Sequence, residues 1–540
     1  MKTLFLNLVD LHQRRIYPAS ISIAEGKITD IKSLDSPCAH YALPGFVDAH
    51  IHIESSMLTP RAFAAMAVRH GTVATVSDPH EIANVLGLKG VLYMIENGRH
   101  SDFKFYFGAP SCVPATNFEN AGAALGLDAL EQLLLMPEVK YLAEMMNYPG
   151  VLHQDPEVMA KIALAQRLGK PIDGHAPGLR GQAARDYIAA GMSTDHECFT
   201  AEEALDKLQA GMHVLIREGS AAKNFEALAP LLPQYFGQMM FCSDDKHPDE
   251  LLLGHINQLV QRALAKGFAL FDVLEVACLN PVKHYGLDLG LLRVGDPADF
   301  IVVEDLTAFK VLKTYIGGKE VFDGVQDHIP QLSGSLPNHF EALPRQESDF
   351  RLSAKDYAHN MAIEAIDGEL ITRKVAVALS SDAEGFLQAD PAQDLLKIAV
   401  INRYVPQARP AIAFIKNFGL KEGAIASTVA HDSHNIIVVG ADDAAITEAV
   451  NLLIAAQGGV VAVGKGQQKV LSLPIAGLMS PQSAEEVAAA YTEIDAFAKE
   501  LGSTLKAPFM TLSFMALLVI PHIKISDLGL FDVDSFQLVE

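Results

Sequence analysis

The stretch PGFVDAHIHIESS, residues 44–56, places two histidines two positions apart at the end of an apolar run. Residues two apart on a β-strand point to the same side, so His50 and His52 are able to bind one metal ion together. An HxH pair alone is a weak signal of a metal site. Further side chains that are able to bind metal, however, stand at the ends of apolar runs later in the chain. These are His175 in DGHAPG, His196 in STDHE and Asp244 in CSDD. We therefore predict a metal centre with two ions.

Eight short apolar runs, separated by amphipathic helical stretches, carry these side chains. The runs are FVDAHIH, TVATVSD, FKFYFGAP, KYLAEMMN, PIDGHAP, MSTDHE, HVLIREG and MMFCSDD. Their alternation with helices predicts an α/β fold with a closed (β/α)8 TIM barrel over residues 44–289, whose catalytic groups gather at the carboxyl ends of the strands. An open doubly wound sheet is the alternative, weakened because no glycine-rich phosphate turn follows the first run.

The rest of the chain predicts additional domains. Residues 1–43 and 290–325 are typical of short strands with glycine turns, and we expect them to pair into one small composite β-domain. Residues 326–350 contain several prolines and are interpreted as a linker. Residues 351–540 predict a separate α/β or α+β unit, with strands such as NIIVVG and GVVAVG and the helix SAEEVAAAYTEIDAFAKEL.

Bulk properties narrow the function classes. The net charge of −23 over 540 residues disfavours binding to a nucleic-acid backbone or an anionic membrane surface. Five scattered cysteines without a CxxC motif indicate neither a disulfide framework nor a thiolate zinc site, which favours a reducing cytoplasm. No apolar stretch approaches the ~18 residues of a membrane span. We expect a small-molecule substrate and a homo-oligomer, dimer or higher.

The ligand pattern resembles the amidohydrolase superfamily, with HxH on the first strand, histidines on the fifth and sixth and an aspartate on the eighth. The wider match is similar to the bacterial adenine deaminase family, nearly from end to end. It includes PGFVDAHIHIESSMLTP, DPHEIANVLG, DHECFTAEEAL, IREGS, FCSDDKHPDELL, GAIASTVAHDSHNIIVVG and PFMTLSFMALLVIP. The resemblance implies hydrolysis of adenine to hypoxanthine and ammonia by a metal-bridged hydroxide, as in purine salvage.

The resemblance also implies roles for particular residues. Many superfamily members bridge their metals with a carboxylated lysine on the fourth strand, where this chain offers Glu144. Lys140 has the same parity but would lie roughly 13 Å deeper, so Glu144 is the expected bridge. The implied metals are Fe(II) or Mn(II), with Zn(II) as the alternative. Apart from the resemblance, our mechanistic hypothesis makes Asp244, a ligand beside the attacking water, the catalytic proton carrier. The acid at purine N1 would be Glu218, which ends the seventh run, first and Glu81 second.

Other residues keep two interpretations. His80 and Glu81 are candidate substrate contacts or simply helix caps, and Ser220 is a candidate purine contact or a turn residue. The segment AHDSHN, with His431, Asp432 and His434, could cover the barrel mouth as a lid, form a second metal site or only stabilise a turn. We favour a position close to the active site and assign it no direct metal role. Alternative functions are hydrolysis of a cyclic amide or a non-catalytic barrel scaffold. A cytidine-type zinc deaminase is excluded because the P-C-x-x-C half of its motif is missing.

Overall fold

The protein is described by a computed structural model that covers residues 1–330, 334–357 and 359–539. Three positions of the predicted linker, 331–333, and two of the predicted unit 351–540, Ala358 and Glu540, lie outside the described residues. The chain begins with four strands: β1 (Lys2–Asp10), β2 (Arg15–Ala24), β3 (Lys27–Ser33) and β4 (Tyr41–Pro44).

Eight parallel strands follow, one for each apolar run of the sequence. Their order in the sheet is the order in the chain: β5 (Phe46–Ile51), β6 (Thr72–Ser77), β7 (Lys104–Ala109), β8 (Val139–Met145), β9 (Ile172–Gly174), β10 (Met192–Asp195), β11 (His213–Arg217) and β12 (Met239–Cys242). The last strand returns to the first, because the Asp244 N–H donates to the His50 carbonyl at 2.9 Å and the His52 N–H donates to the Asp244 carbonyl at 3.3 Å. The predicted (β/α)8 barrel is confirmed.

Helices cover the barrel, so its strands are buried on both faces and consist of nearly continuous apolar runs. They are α1 (Pro60–Ala67), α2 (His80–Leu86), α3 (Leu88–Arg99), α4 (Leu127–Leu134), α5 (Tyr148–Leu152), α6 (Pro156–Arg167), α7 (Gly181–Ala189), α8 (Ala201–Gln209), α9 (Phe225–Leu228), α10 (Leu232–Tyr235), α11 (Pro248–Leu253), α12 (Ile256–Ala265), α13 (Leu270–Leu274) and α14 (Asn280–Tyr285).

The strands after the barrel return to the first four. They are β13 (Phe300–Val303), β14 (Val311–Ile316) and β15 (Lys319–Phe322). Strand β13 pairs with β4, which gives one seven-stranded sheet in the order β15-β14-β13-β4-β1-β2-β3. The segments on both sides of the barrel thus enter the same sheet.

The C-terminal part contains a second large sheet with the order β18-β17-β22-β21-β24-β23-β25-β26 and two small ones. Its strands are β16 (Leu352–Ser353), β17 (Met361–Ala365), β18 (Thr372–Ala376), β19 (Ser380–Ser381), β20 (Phe386–Gln388), β21 (Leu395–Ile401), β22 (Ala411–Lys416), β23 (Ala424–Ser427), β24 (Ile436–Gly440), β25 (Gly459–Gly464), β26 (Gln467–Ser472), β27 (Ile523–Ser526), β28 (Gly529–Asp532) and β29 (Gln537–Leu538). Its helices are α15 (Asp443–Ala456), α16 (Ala484–Glu500) and α17 (Pro508–Phe514).

The large C-terminal sheet is apolar on both faces, and the two faces have different neighbours. On β24, Ile436 and Val438 pack with α15, whereas Ile437 and Val439 join the apolar core that continues into the barrel. Because successive strand residues point to opposite sides, the run NIIVVG serves both layers. The C-terminal part is therefore packed against the barrel. Among the described helices, none has the length and apolar character needed to cross a bilayer.

Candidate metal centre and active site

The predicted ligands meet at the carboxyl ends of five barrel strands. His50 lies on β5 and His52 just after it, Glu144 is the second-last residue of β8, and the others follow β9, β10 and β12 by one or two residues. All are at most 5% exposed: His50, His52, Glu144, His175, His196 and Asp244. Strand ends position them because parallel strands of a closed barrel all end at one mouth.

One half of the cluster is built around the histidine pair of β5. The Nε2 atoms of His50 and His52 lie 3.2 Å apart, and Asp244 Oδ1 lies 3.5 Å from the first and 3.2 Å from the second. Nδ1 of His52 lies 3.1 Å from the carbonyl oxygen of Asp78. A carbonyl only accepts, so Nδ1 of His52 carries a proton and donates it, and Nε2 of the neutral ring presents a lone pair.

The other half is joined to the first through Glu144. Its Oε1 lies 3.2 Å from Nε2 of His52, while its Oε2 lies 2.7 Å from Nδ1 of His175 and 3.2 Å from Nε2 of His196. Each carboxylate oxygen thus faces a different set of imidazoles. Lys140, the alternative to Glu144 as the bridge, is partly exposed near the amino end of β8, with Nζ 5.9 Å from the Tyr106 ring.

This donor set fits divalent metal ions. Two nitrogens that each lie about 2.1 Å from one ion, at angles of about 90 to 110°, are roughly 3.0 to 3.4 Å apart. The lone pair of His52 Nε2 faces Nε2 of His50 and two carboxylate oxygens at such distances. Imidazole with carboxylate and no thiolate suits Fe(II), Mn(II) or Zn(II).

Residues 41–321 match the amidohydrolase family, and residues 369–537 match the adenine deaminase C-terminal domain. The adenine deaminase of Sulfurovum sp. (strain NBC37-1) is 58% identical over 535 residues, which cover 99% of this chain and 98% of that protein. The chain belongs to the adenine deaminase family. The resemblance drawn from the motifs is therefore confirmed, as is the class of metal-dependent hydrolase.

A second adenine deaminase also matches nearly the whole chain. The adenine deaminase of Salinibacter ruber (strain DSM 13855 / M31) is 54% identical over 534 residues, 99% of this chain and 97% of that protein. A solved β-aspartyl dipeptidase from Fervidobacterium islandicum AW-1 is 15% identical, with a TM-score of 0.46, and covers 60% of this chain and 98% of its own. The relatives from the adenine deaminase family thus match the barrel and the C-terminal domain together.

In this member of the adenine deaminase family, two further charged residues hold the cluster. Arg217, at the end of β11, donates from Nη1 to Asp244 Oδ2 at 2.7 Å and also binds Glu197 through both terminal nitrogens. Oε1 of Glu197 lies 3.4 Å from Nε2 of His196. Burial raises the pKa of Glu197, but Arg217 and the neighbouring histidines outweigh it and hold that pKa below its ordinary value. Sequence reasoning missed Glu197, although it directly follows a predicted ligand.

Two predicted residues do not reach the cluster. Glu218 follows Arg217 with the opposite strand parity, and its Oε2 pairs with Arg262 at 2.5 Å on the outer side. Ser220 donates to Glu250 at 3.2 Å and accepts from the His247 N–H at 2.9 Å. Neither is among the described residues that line the cavity above the cluster. The geometry therefore gives no support to Glu218 as the acid or to Ser220 as a purine contact.

His80 and Glu81, the other predicted substrate residues, do line that cavity. Nδ1 of His80 lies 3.1 Å from Asp78 Oδ2 and 3.4 Å from Glu144 Oε1. The opposite wall comes from the C-terminal domain and consists of Leu370, His431, Asp432, Phe514 and Leu517. The segment AHDSHN therefore borders this cavity close to the cluster, and the C-terminal wall combines apolar side chains with His431 and Asp432.

Proposed function

We propose that this protein hydrolyses adenine to hypoxanthine and ammonia. The observation that carries the proposal is that proteins named adenine deaminase match 99% of the chain, including the C-terminal domain that lines the cavity. The cavity's apolar side chains, among them Leu370 and Phe514, suit a flat heteroaromatic ring, and its polar side chains suit ring nitrogens.

We propose two divalent ions, Fe(II) or Mn(II) with Zn(II) as the alternative, held by His50, His52, Glu144, His175, His196 and Asp244. Such ions supply an attacking water with a pKa lowered towards neutrality. Oε1 of Glu144 faces His52 and its Oε2 faces His175, which supports a role of this carboxylate as a bridge between the two ions.

Asp244 is the proposed catalytic proton carrier. Arg217 holds its Oδ2, and its Oδ1 faces the histidines of β5. From this position Asp244 would take a proton from the attacking water and pass it to the departing amino nitrogen of adenine. His80 and Glu81 are proposed to shape the substrate side of the cavity.

Further proposals concern surroundings and location. The five cysteines are free, which suits the reducing cytoplasm that we propose as the location. The charge of −23 supports the absence of nucleic-acid partners. A homo-oligomer, dimer or higher, remains a prediction from the sequence.

The test is ammonia release by purified protein loaded anaerobically with Fe(II) or Mn(II), with adenine, guanine and hydantoin as substrates. We expect release from adenine, whereas release only from hydantoin would favour the cyclic-amide alternative. Asp244→Asn should keep two metal ions per chain and lose about 10²- to 10⁴-fold in kcat. Failure of the metal-loaded protein to act on adenine would refute the proposed function.

A further inference from the structure

The segment between β23 and β24 brings His431 to the cavity. Its ring stacks on Phe514 with centroids 4.6 Å apart and planes at 14°, and its N–H donates to the Ser513 carbonyl at 3.2 Å. Nδ1 of His431 lies 2.6 Å from Glu81 Oε1, across the boundary between the C-terminal domain and the barrel. The side chain is 2% exposed, so its orientation is set by these contacts.

Glu81, His431 and His434 have the composition of a metal site, but the hydrogen bonds exclude one. The Ala430 N–H donates to Nδ1 of His434 at 3.2 Å, so the proton of the neutral ring lies on Nε2. That Nε2 donates to Oε2 of Glu81. His434 therefore presents no free lone pair, and the three residues form a hydrogen-bonded chain instead.

Glu81 cannot supply a proton from this arrangement. Both of its oxygens accept hydrogen bonds from histidines. Burial raises the pKa of Glu81, but the charge of His431 and the other nearby imidazoles outweighs it and holds that pKa well below its usual range. The carboxylate is ionised at neutral pH, so the alternative acid predicted from the sequence is a positioning residue.

His431 has the properties that Glu81 lacks. Burial disfavours its charged form, but Glu81, Asp245 and Asp432 outweigh burial and raise the pKa of His431 to about 9. Its Nε2 is buried without a hydrogen-bond partner in the described part of the chain, and the nearest carboxylate oxygen, on Asp245, is 4.0 Å away. That distance exceeds a hydrogen bond, so the Nε2–H is available to a ligand in the cavity.

We propose that His431 is a catalytic acid that donates its Nε2 proton to ring nitrogen N1 of adenine, held in place by Glu81 and His434. This inference rests on the proposed deamination and assigns the acid to the C-terminal domain. Protonation at N1 makes C6 electrophilic at the moment when water adds to it.

The protons of the reaction balance with this acid. Water forms the C6–O bond as the C6–N1 π bond breaks, and N1 takes the proton from His431. The first water proton passes through Asp244 to the amino nitrogen, and the C6–N bond breaks to release ammonia. The remaining hydroxyl proton returns to Nε2 of His431 as the C6 carbonyl forms, which leaves hypoxanthine protonated at N1.

The test compares His431→Gln with the wild-type protein in adenine turnover, metal content and hypoxanthine inhibition. The carboxamide keeps a donor near the Nε2 position but has no proton to transfer, so kcat should fall about 10²- to 10⁴-fold with two metal ions retained. N1 of adenine accepts a hydrogen bond, whereas N1–H of hypoxanthine donates one. The carboxamide of His431→Gln can turn its oxygen towards that N1–H, which protonated histidine cannot do. The Ki for hypoxanthine should therefore fall about tenfold, which a purely structural role would not produce.

Two further variants keep the test decisive. His431→Asn retains a donor towards Glu81 but leaves nothing at the Nε2 position, and it should lose as much kcat if His431→Gln does not fold. His247→Gln is the matched control, because His247 is equally buried against Tyr491 but does not line the cavity.

Wild-type inactivity on adenine would refute the proposed function itself. An active wild type with either folded His431 variant within about threefold in kcat would overturn only the role of His431.

Discussion

At the scale of single residues, Glu144 is the proposed bridge on which binding of a second ion would depend. It is the one predicted ligand whose two oxygens face different groups of imidazoles, His52 on one side and His175 with His196 on the other. A carboxylate offers both oxygens with negative charge, whereas a carboxamide offers one neutral oxygen. In the proposed site, Glu144 would therefore supply both bridging oxygens without modification.

Glu144→Gln should therefore lower the bound metal from two ions per chain to one or fewer. Elemental analysis after anaerobic loading and desalting would measure this stoichiometry. Glu138→Gln is the matched control, since Glu138 precedes the same strand and pairs with Arg99 at the surface. Two ions retained by Glu144→Gln would contradict the bridging role.

At the scale of elements, the contact between β5 and β12 that closes the barrel, here called the seam, positions His50, His52 and Asp244. Asp48 lies on β5 two residues before His50 and accepts from the Ser243 N–H at 3.0 Å. Its Oδ2 lies 2.8 Å from Nε2 of His255, whose Nδ1 lies 2.7 Å from the Thr72 hydroxyl. Asp48 is therefore a buried support, and it connects the end of β12 and the start of α12 to β5 beneath the proposed ligands.

Asp48→Ala should weaken both the seam and the site. Several buried hydrogen bonds to a carboxylate lose their acceptor, which we expect to lower the free energy of unfolding by about 3 kcal/mol. The freed His50 and Asp244 should bind metal about 10- to 100-fold more weakly. Urea unfolding and competition with a chelator measure the two effects.

Asp305→Ala is the control for that substitution, because Asp305 accepts from the backbone N–H groups of Thr307 and Ala308 in an exposed turn. We expect a much smaller loss of stability and unchanged metal affinity. If Asp48→Ala matched this control in both measurements, the seam would have no supporting role.

At the scale of the whole molecule, the active site belongs to two parts of the chain. The barrel supplies the proposed ligands, and the C-terminal domain supplies an apolar wall and His431. The contact between Glu81 and His431 joins residues 350 positions apart. We therefore expect catalysis to depend on the packing of the C-terminal sheet against the barrel.

A protein cut after residue 350 should lose adenine turnover because it lacks that wall. Co-expression of residues 1–350 with 351–540 should restore turnover, since the two parts pack through the apolar face that includes Ile437 and Val439. Ammonia release from the fragment, the reassembled pair and the full chain measures the effect. A folded 1–350 fragment with wild-type turnover would show that the domain is dispensable.

The barrel and the candidate metal ligands could be predicted from local patterns in the sequence. Alternating apolar runs and helices predicted eight parallel strands, and the closed barrel then required the side chains at their carboxyl ends to converge. His50, His52, His175, His196 and Asp244 could be named for that reason, and Glu144 could be named from its place on the fourth strand.

Contacts between distant segments were decided only by the tertiary structure. Because Glu218 ends a predicted strand, the sequence predicted that it would face the site. In the structure, side chains alternate along β11, so Arg217 points inward to Asp244 and Glu218 pairs with Arg262 on the outer side. The partnership of Glu81 with His431 depends on how the C-terminal domain packs, which no local periodicity encodes. The sequence by itself determined the barrel and the residues able to bind metal, because both follow from strand order and spacing. Tertiary packing alone decided which ionisable side chains of the C-terminal domain face the cavity, because that depends on which side chains of separate domains come into contact.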